Sequence, residues 1–405
     1  MARTIVSRNR PFFDPKERSW FVVADRRPPS RCRSVISLFT GCGGMEMGLE
    51  ACGFRTSVCV EIDGDCNRTL ERNRPSWRRM EPGDITALAT GDILKAARLE
   101  PGRAALVTAG CPCQPFSTMG KEEGILCEDG NLFSHFIRVV TEAKPAGFIF
   151  ENVAGITRHA DVLGMISDMA DMLDYRVSAR LLTAADYGVP QRRNRLILLG
   201  LRGRSSRSPV PAFPWPTHAG GPDEFVGWYA GRGLSAPRPE PWRTVRECFA
   251  GIDYEEVARM TERGECHAMG VSPLMAERMR HIRPGTRDNF KALPMELRPP
   301  CWRPDGSGRL RHQGNDTFGR LEPDRPSVTI RTCGYHPMKG RYIHPFEDRG
   351  LNTVELARLQ GFPPGWRFSG GLSSVSRQVG NAVPPPLAEA LGWAMAAQLQ
   401  HAGGA

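Results

Sequence analysis

Apolar runs alternating with helical stretches begin at residue 35 of this chain. Residues 35–39, 57–61, 104–108, 147–150 and 196–201 carry short runs of Val, Ile, Leu, Phe and Cys, the pattern of strands buried within a sheet. Phe133, Phe136, Ile137 and Val140 recur at helical spacing, and that pattern stops before Pro145, which lacks the backbone donor a helix would need there. Strand and helix in turn predict an α/β fold with a doubly wound, mostly parallel sheet. Residues 1–33 mix Arg, Pro and aromatic side chains without a period and are expected to form an irregular arm. After Leu201 the alternation gives way to Pro, Gly and Arg, and regularity returns only at 352–360 and 386–400, where Leu387, Leu391 and Met395 keep a helical spacing. The predicted organisation is therefore an arm (1–33), a first lobe (34–205), an inserted, irregular smaller domain (206–340) and a segment (341–405) that completes the first lobe.

Composition narrows the picture only a little. The 405 residues suffice for two cores, and no apolar run approaches the roughly 20 residues of a membrane span. The 12 cysteines show no paired framework and the N-terminus has no signal-peptide core, so a reducing cytoplasm is expected. Lys and Arg outnumber Asp and Glu by 54 to 44, a net charge of +10 that favours an anionic partner.

Candidate chemistry sits where the expected strands end. The first strand runs into Phe39-Thr40-Gly41-Cys42-Gly43-Gly44, a glycine turn that lets a ligand approach bare backbone or simply joins strand to helix. The second ends in Glu61, placed to accept ribose hydroxyls or to face solvent; together the two point to a nucleoside cofactor. The third leads into Gly110-Cys111-Pro112-Cys113-Gln114-Pro115-Phe116-Ser117, which puts a cysteine on a loop above the sheet. Cys111 and Cys113 alone supply too few ligands for zinc, and no metal is expected. Phe150-Glu151-Asn152-Val153 ends a later strand with a carboxyl group, and Pro190-Gln191-Arg192-Arg193-Asn194-Arg195 precedes the last apolar run.

Taken in order, LFTGCGG, the Glu61 strand, Gly83-Asp84-Ile85, GCPCQPFS, ENV, QRRNR, Arg325-Pro326-Ser327-Val328-Thr329-Ile330 and Gly380-Asn381-Ala382-Val383-Pro384 closely resemble the DNA cytosine-5 methyltransferases of the bacterial or phage modification type. The resemblance covers most of the chain. It implies a Rossmann-like S-adenosylmethionine-dependent fold with an inserted target-recognition domain. It implies a cofactor pocket of Phe39, Gly41, Cys42 and Gly44, with Glu61 on the ribose, Ile62 beside the adenine, Asp84 and Ile85 at the adenine edge, Pro112 and Leu132 lining it, and Asn381, Ala382 and Val383 closing it. A second Gly-Asp-Ile at 91–93 competes with the first. Asp84 is preferred because the segment after it looks like the helix and turn that precede the cysteine loop. The family pattern usually has Asp where this chain has Ser37, an Arg near Gly130, and Pro or Phe where it has Cys111.

For the reaction, the resemblance implies that Cys113 adds to C6 of a cytosine flipped out of double-stranded DNA, so that C5 can take the methyl group. Glu151 would hold the N3 and N4 edge, and Arg195, supported by Arg193, would hold O2 and favour the thiolate. The span 271–341 carries 14 Lys and Arg against 7 Asp and Glu and is expected to face DNA. A monomer is expected, functionally paired with a restriction endonuclease or acting alone. The rivals are an RNA cytosine methyltransferase, whose Cys-Phe-Thr signature is absent here (the chain has Cys248-Phe249-Ala250), and a catalytically idle DNA-binding regulator, which would be free to lose Cys113, Glu151 or the arginines.

Overall fold

The computed structural model of this chain describes residues 21–22, 33–111, 132–155, 174–203, 210–223, 226, 237–285, 289–309 and 317–402. These divide into two compact units, Met1–Tyr187 with Asn194–Thr217 and Ala382–Ala405, and Gly188–Arg193 with His218–Asn381.

The first unit is built on a six-stranded sheet of β1 (Arg33–Leu38), β2 (Phe54–Val60), β3 (Leu106–Gly110), β4 (Gly147–Val153), β5 (Tyr175–Thr183) and β6 (Asn194–Arg202), in the order β2-β1-β3-β4-β6-β5. Neighbours from β2 to β4 are parallel, and β6 runs antiparallel to both β4 and β5. The expected doubly wound, mostly parallel sheet is therefore present, and all five strands read from apolar runs fall within one residue or a few of their expected ends. The edge strand β5 lies outside that reading. Arg176 and Arg180 break its apolar pattern, and a strand paired on one side only is not obliged to be apolar throughout.

Alternation along β1 assigns the two faces. Ile36 and Leu38 join a core formed with Ile93 and Leu94 of α3 (Thr90–Ala97) and Phe136, Val139 and Val140 of α4 (Leu132–Ala143). Ser37 points the other way and meets Glu46 of α1 (Gly44–Glu50). On that second face α1 packs against α10 (Pro385–Ala402), the helix foreseen from Leu387, Leu391 and Met395. Helix α2 (Gly64–Asn73) follows β2 and is capped by the Asp63 carboxylate, which accepts from the amides of Asp65 and Cys66. Of the N-terminal arm, Phe21–Val22 is described and pairs in parallel with Phe213–Pro214.

The second unit is less irregular than its composition suggests. It contains α5 (Val245–Ala250), α6 (Tyr254–Glu262), α7 (Pro273–Arg280), α8 (Thr353–Gln360) and α9 (Leu372–Asn381). Thr244 with Glu247, Asp253, and Ser272 with Pro273 start the first three as side-chain caps, signals present in the sequence but shorter than a periodicity reading can detect. The return to the first unit comes at Ala382 and not at 341, because α8 and α9 pack on each other and α8 packs on α5. A small core of Met279, Ile282, Phe290, Leu293, Trp302, Phe318 and Ile343 centres on the parallel stack of Phe290 and Phe318, 4.3 Å apart. Its polar counterpart is Arg320, whose guanidinium donates to the carbonyls of Met279, Ile282, His344 and Glu347 and to Asp348. Among the described residues no helix is long and apolar enough to cross a membrane.

Gly48 sets the closeness of α1 and α10, since a methyl group there would lie closer than 3.0 Å to the Pro385 carbonyl, the Glu389 amide and Ala388 Cβ. Gly48→Ala should therefore lower unfolding stability by about 1–3 kcal/mol despite alanine's better helix propensity. Urea denaturation checks this, and a stabilised variant would mean that the helices can separate without loss.

Candidate active site

The carboxyl ends of β1 to β4 lie side by side, and the turns that leave them carry most of the candidate residues. After β1 the backbone turns left-handed at Phe39 (φ 52°) and again at Gly41 (φ 58°) and Gly43 (φ 85°). Phe39 has a Cβ and a ring to accommodate in that conformation, so its strain marks a turn held in place by its surroundings. Glu61 holds it from the next strand: one carboxylate oxygen accepts from Gly41 N and the other from Asp63 N, each at 2.7 Å. Burial pushes the Glu61 carboxyl up, and the two amides oppose that shift. Each oxygen retains a lone pair for a further donor. Ile62 beside it is 72% exposed, an apolar face with no protein covering it.

Gly83 packs directly on Glu61, since any Cβ there would run into the Glu61 carbonyl. The Asp84 carboxylate accepts from Thr86 N and Oγ1, which hold it below the usual carboxylate range. Ile85 turns its side chain into the core, leaving only its backbone for a ligand, and its carbonyl accepts from Arg138. Arg138 of α4 also donates to Thr90 Oγ1 at the start of α3 and lies against His135 Nδ1, so one guanidinium fixes the 84–85 turn to two helices. No role was read for Arg138 from the sequence, although an arginine flanked by Ile137 and Val139 on a half-buried helix was the available signal. Of the second Gly-Asp-Ile, Asp92 is exposed in the first turn of α3 and Ile93 lies in the core.

Glu151 ends β4 beside Gly110 of β3, buried and paired with Arg195 of β6, whose Nε lies 2.7 Å from Glu151 Oε1. Antiparallel register puts Val153 opposite Arg195, so the pair spans neighbouring strands at a diagonal. A Cβ on Gly110 would meet Glu151 Oε2 at 3.7 Å and the Phe39 carbonyl and Val383 Cγ2 at 3.9 Å, so bare backbone here keeps a concave space between three strand ends and the start of the closing helix segment. Cys111 is buried immediately after it, and Leu132 opens α4 against the sheet core. Cys113 and Pro112 lie outside the described residues.

Of the remaining candidates, Arg193 and Asn381 belong to the second unit and Ala382 to the first. Arg193 is buried and donates to the carbonyls of Ile330 (3.0 Å) and Gly380 (2.7 Å). Gln191 Nε2 donates to Leu359 O and Gln360 Oε1 while its Oε1 accepts from Ile330 N. A Cβ on Gly380 would collide with the Arg331–Thr332 backbone. QRRNR, the 325–330 segment and the turn before Asn381 are thus one knot, an arrangement in which Arg193 organises backbone. Arg192 is exposed, its guanidinium 5.6 Å from the Trp242 ring centroid. Several arginines of the 271–341 stretch donate to carbonyls: half-buried Arg278 to Leu297 and Arg298 to Lys291 and Leu293, and exposed Arg303 to Glu296 and Arg298.

Known proteins match this arrangement. Residues 33–397 fit the sequence model of C-5 cytosine-specific DNA methylases. The chain is 30% identical over 387 residues to the type II methyltransferase M.PspPI of a Psychrobacter strain, covering 92% of this chain and 81% of that one. It is 29% identical over 401 residues to the type II methyltransferase M.SacI of Streptomyces achromogenes, covering 91% and 93%. Among solved structures, the Dnmt2 methyltransferase of S. pombe shares the fold with a TM-score of 0.57 at 15% identity, over 91% of this chain and 99% of that one. The chain belongs to the C-5 cytosine-specific DNA methylase family and is a DNA cytosine-5 methyltransferase.

Proposed function

We propose that the protein modifies a cytosine in a specific duplex DNA sequence with S-adenosylmethionine as donor, by a covalent route through Cys113, as the modification partner of a restriction endonuclease or alone. The observation that carries the reading is the buried Glu151–Arg195 pair towards the carboxyl end of β4, next to the strand that precedes Cys113 in the chain. The donor fits the residues around the glycine turn. Gly41 leaves open space above the turn, Glu61 offers lone pairs to a ribose diol, Ile62 offers an apolar face to a purine, and Asp84 has a second oxygen for an exocyclic amine. Phe39, Cys42, Gly44, Pro112, Leu132, Asn381, Ala382 and Val383 complete the proposed pocket. When bound, the sulfonium supplies an electrophilic methyl group.

The chain's own residues then have defined tasks. Cytosine C5 is a weak nucleophile until something adds at C6, and the Cys113 thiolate makes that bond. Electron density moves to C5, which becomes methylated; loss of the C5 proton then breaks the sulfur–carbon bond and restores thiolate and aromatic ring. Glu151 binds the N3 and N4 edge and shares a proton with N3, stabilising the charge that develops when the thiolate adds. Arg195 orients Glu151 and faces O2, while Arg193 supports the site by fixing the backbone at Ile330 and Gly380. The base is reached by extrusion from the stack, which costs on the order of a few kcal/mol. Residues 206–340 read the sequence, and the exposed cation of Arg192 lies on a phosphate.

Cys113→Ser should abolish methyl transfer while leaving DNA and cofactor affinity within about twofold, because the hydroxyl is similar in size but far less nucleophilic. Bisulfite sequencing of DNA from expressing cells reads both activity and sequence context, and normal conversion protection in this variant would remove Cys113 from the mechanism. DNA carrying 5-fluorocytosine at the target should trap the enzyme in an adduct that survives denaturation and requires S-adenosylmethionine, since fluorine cannot leave as a proton.

The two kinds of arginine in the second unit should separate in binding experiments. Arg192→Ala should lower the slope of log affinity against log salt by about 0.9, the loss of one phosphate contact, with the same effect on all sequences. Arg320→Met should instead reduce thermal stability, because it strands four backbone carbonyls. Equal melting temperatures for wild type and Arg320→Met, measured by calorimetry, would contradict that division.

A further inference from the structure

Glu46 is buried in the first turn of α1, on the face of the sheet opposite the α3–α4 core, and the proposed reaction gives it no task. Its Oε1 lies 2.7 Å from Ser37 Oγ, which lies 2.9 Å from Thr40 Oγ1, and Thr40 Oγ1 reaches the carbonyls of Ser37 and Val60. Thr108 of β3 adds a longer contact to the same Oε1 at 3.4 Å. Oε2 is buried and has no hydrogen-bond partner among the described residues. Thr40 in turn is part of the glycine turn: its amide donates to Val60 O and its carbonyl accepts from Gly43 N.

We infer that Glu46 is a positioning residue for the cofactor turn, acting in its neutral form as the head of the chain Glu46–Ser37–Thr40, so that its ionisation loosens the turn and weakens cofactor binding. Ser37 and Thr108 donate to Oε1 when the group is ionised, and a proton on Oε1 lets Glu46 donate to Ser37 in turn, with Ser37 then donating to Thr40 and Thr40 to a backbone carbonyl, so both directions satisfy the hydroxyls. The unpartnered Oε2 is what favours the neutral form, in which it is a carbonyl oxygen. Without that proton, half of a carboxylate charge sits on the buried, unpartnered Oε2, an arrangement proteins avoid by neutralising the group.

Beyond the Ser37 and Thr108 hydroxyls and its own backbone amide, the surroundings give a negative charge on Glu46 no cation. Facing Glu46 are the Cys42 thiol in the turn and the Cys59 thiol on β2, both pushed up by burial, the Glu50 carboxylate one turn along α1, and the hydroxyls of Ser37 and Thr108. Glu50 is held by Arg74 and Trp77, and from α10 the nearest acid, Glu389, is engaged by Trp393 Nε1. Burial accordingly pushes Glu46 from 4.5 up to about 7. The sign follows directly: what the neutral group contributes to the fold is fully present below 4.5 and is lost as pH rises through about 7. The Ser37 departure from the usual Asp has a physical reading here, since a carboxyl at 37 would face the one at 46.

The inference rests on the proposed use of S-adenosylmethionine, and binding of that compound to the full-length protein tests both separately. Calorimetric titrations of wild type, Glu46→Gln, Ser37→Asp and Ser37→Asp/Glu46→Gln should run from about pH 6 to about pH 8.5, spanning the titration of Glu46. The amide of Glu46→Gln reproduces the neutral acid. The wild-type dissociation constant should match that of Glu46→Gln within about twofold at the low end and exceed it by about fivefold or more at the high end. Taking the ratio removes titrations common to both proteins, including those of His135 and of the cofactor's own amine. Ser37→Asp, which places two carboxyls in contact, should bind about tenfold more weakly, and adding Glu46→Gln should restore most of the loss. A constant wild-type to Glu46→Gln ratio across the range, or a double variant no better than Ser37→Asp, overturns the inference. Failure of the wild type to bind at any pH would instead overturn the cofactor assignment. Thermal melting of each variant separates lost binding from lost folding, because Glu46→Gln should be at least as stable as wild type above pH 7.

Discussion

Removing a carboxylate from water costs several kcal/mol unless something replaces the water, and this constraint governs one edge of the sheet. Three buried acids lie there, Glu46, Glu61 and Glu151, and each is accommodated differently. Glu61 takes two backbone amides, which stiffen the turn it holds while leaving lone pairs outward. Glu151 takes the Arg195 guanidinium across two strands, an arrangement in which loss of either partner strands the other in a dry site. Glu46 takes hydroxyls on one oxygen and nothing on the other, which suits a neutral acid. Three carboxyls so close to one glycine turn thus each meet a different set of partners.

The same reasoning separates positive charge from nucleic-acid affinity in the second unit. An arginine buried against loop carbonyls stabilises irregular backbone that has no ladder to satisfy it. Arg320 does this for four carbonyls and Arg193 for two, and half-buried Arg278 and Arg298 tie further carbonyls. A loop-rich domain can be held together by such groups, and the surplus of Lys and Arg in 271–341 therefore overstates the charge available to a polyanion.

How much of this the sequence revealed depended on range. Strand runs and the α4 pattern are local, and they located β1 to β4, β6 and α4 because a buried strand must be apolar whatever surrounds it. The strand-end residues Glu61 and Glu151 were equally legible, since position at the carboxyl end is a property of the strand itself. Strand β5 was not, because its arginines obscure a pattern that an edge position tolerates. The capping residues Thr244, Asp253 and Ser272 were visible but short, and the Pro- and Gly-rich background hid them. Contacts across the chain were beyond reach: Arg138 on Ile85 O, Arg320 on its carbonyls and Glu46 against Ser37 join residues whose separation follows no period.

Residues 190–195 show why a motif can be easy to recognise and hard to interpret. Its alternation suggests a single strand with one face of arginines, and as a strand it would offer Arg193 and Arg195 to one ligand. The chain instead passes between compact units after Arg193, and the two side chains have different kinds of partner: backbone carbonyls for Arg193 and a carboxylate for Arg195. Carbonyl oxygens fix a guanidinium without reducing its charge, whereas a carboxylate compensates that charge and is oriented by it in return. Arg193 thus behaves as a structural tie in the knot with Gln191 and Gly380, and Arg195 as the partner that orients the Glu151 carboxyl. Alternation within one short segment lets the fold tie its backbone and orient a buried carboxyl with the same residue type two positions apart.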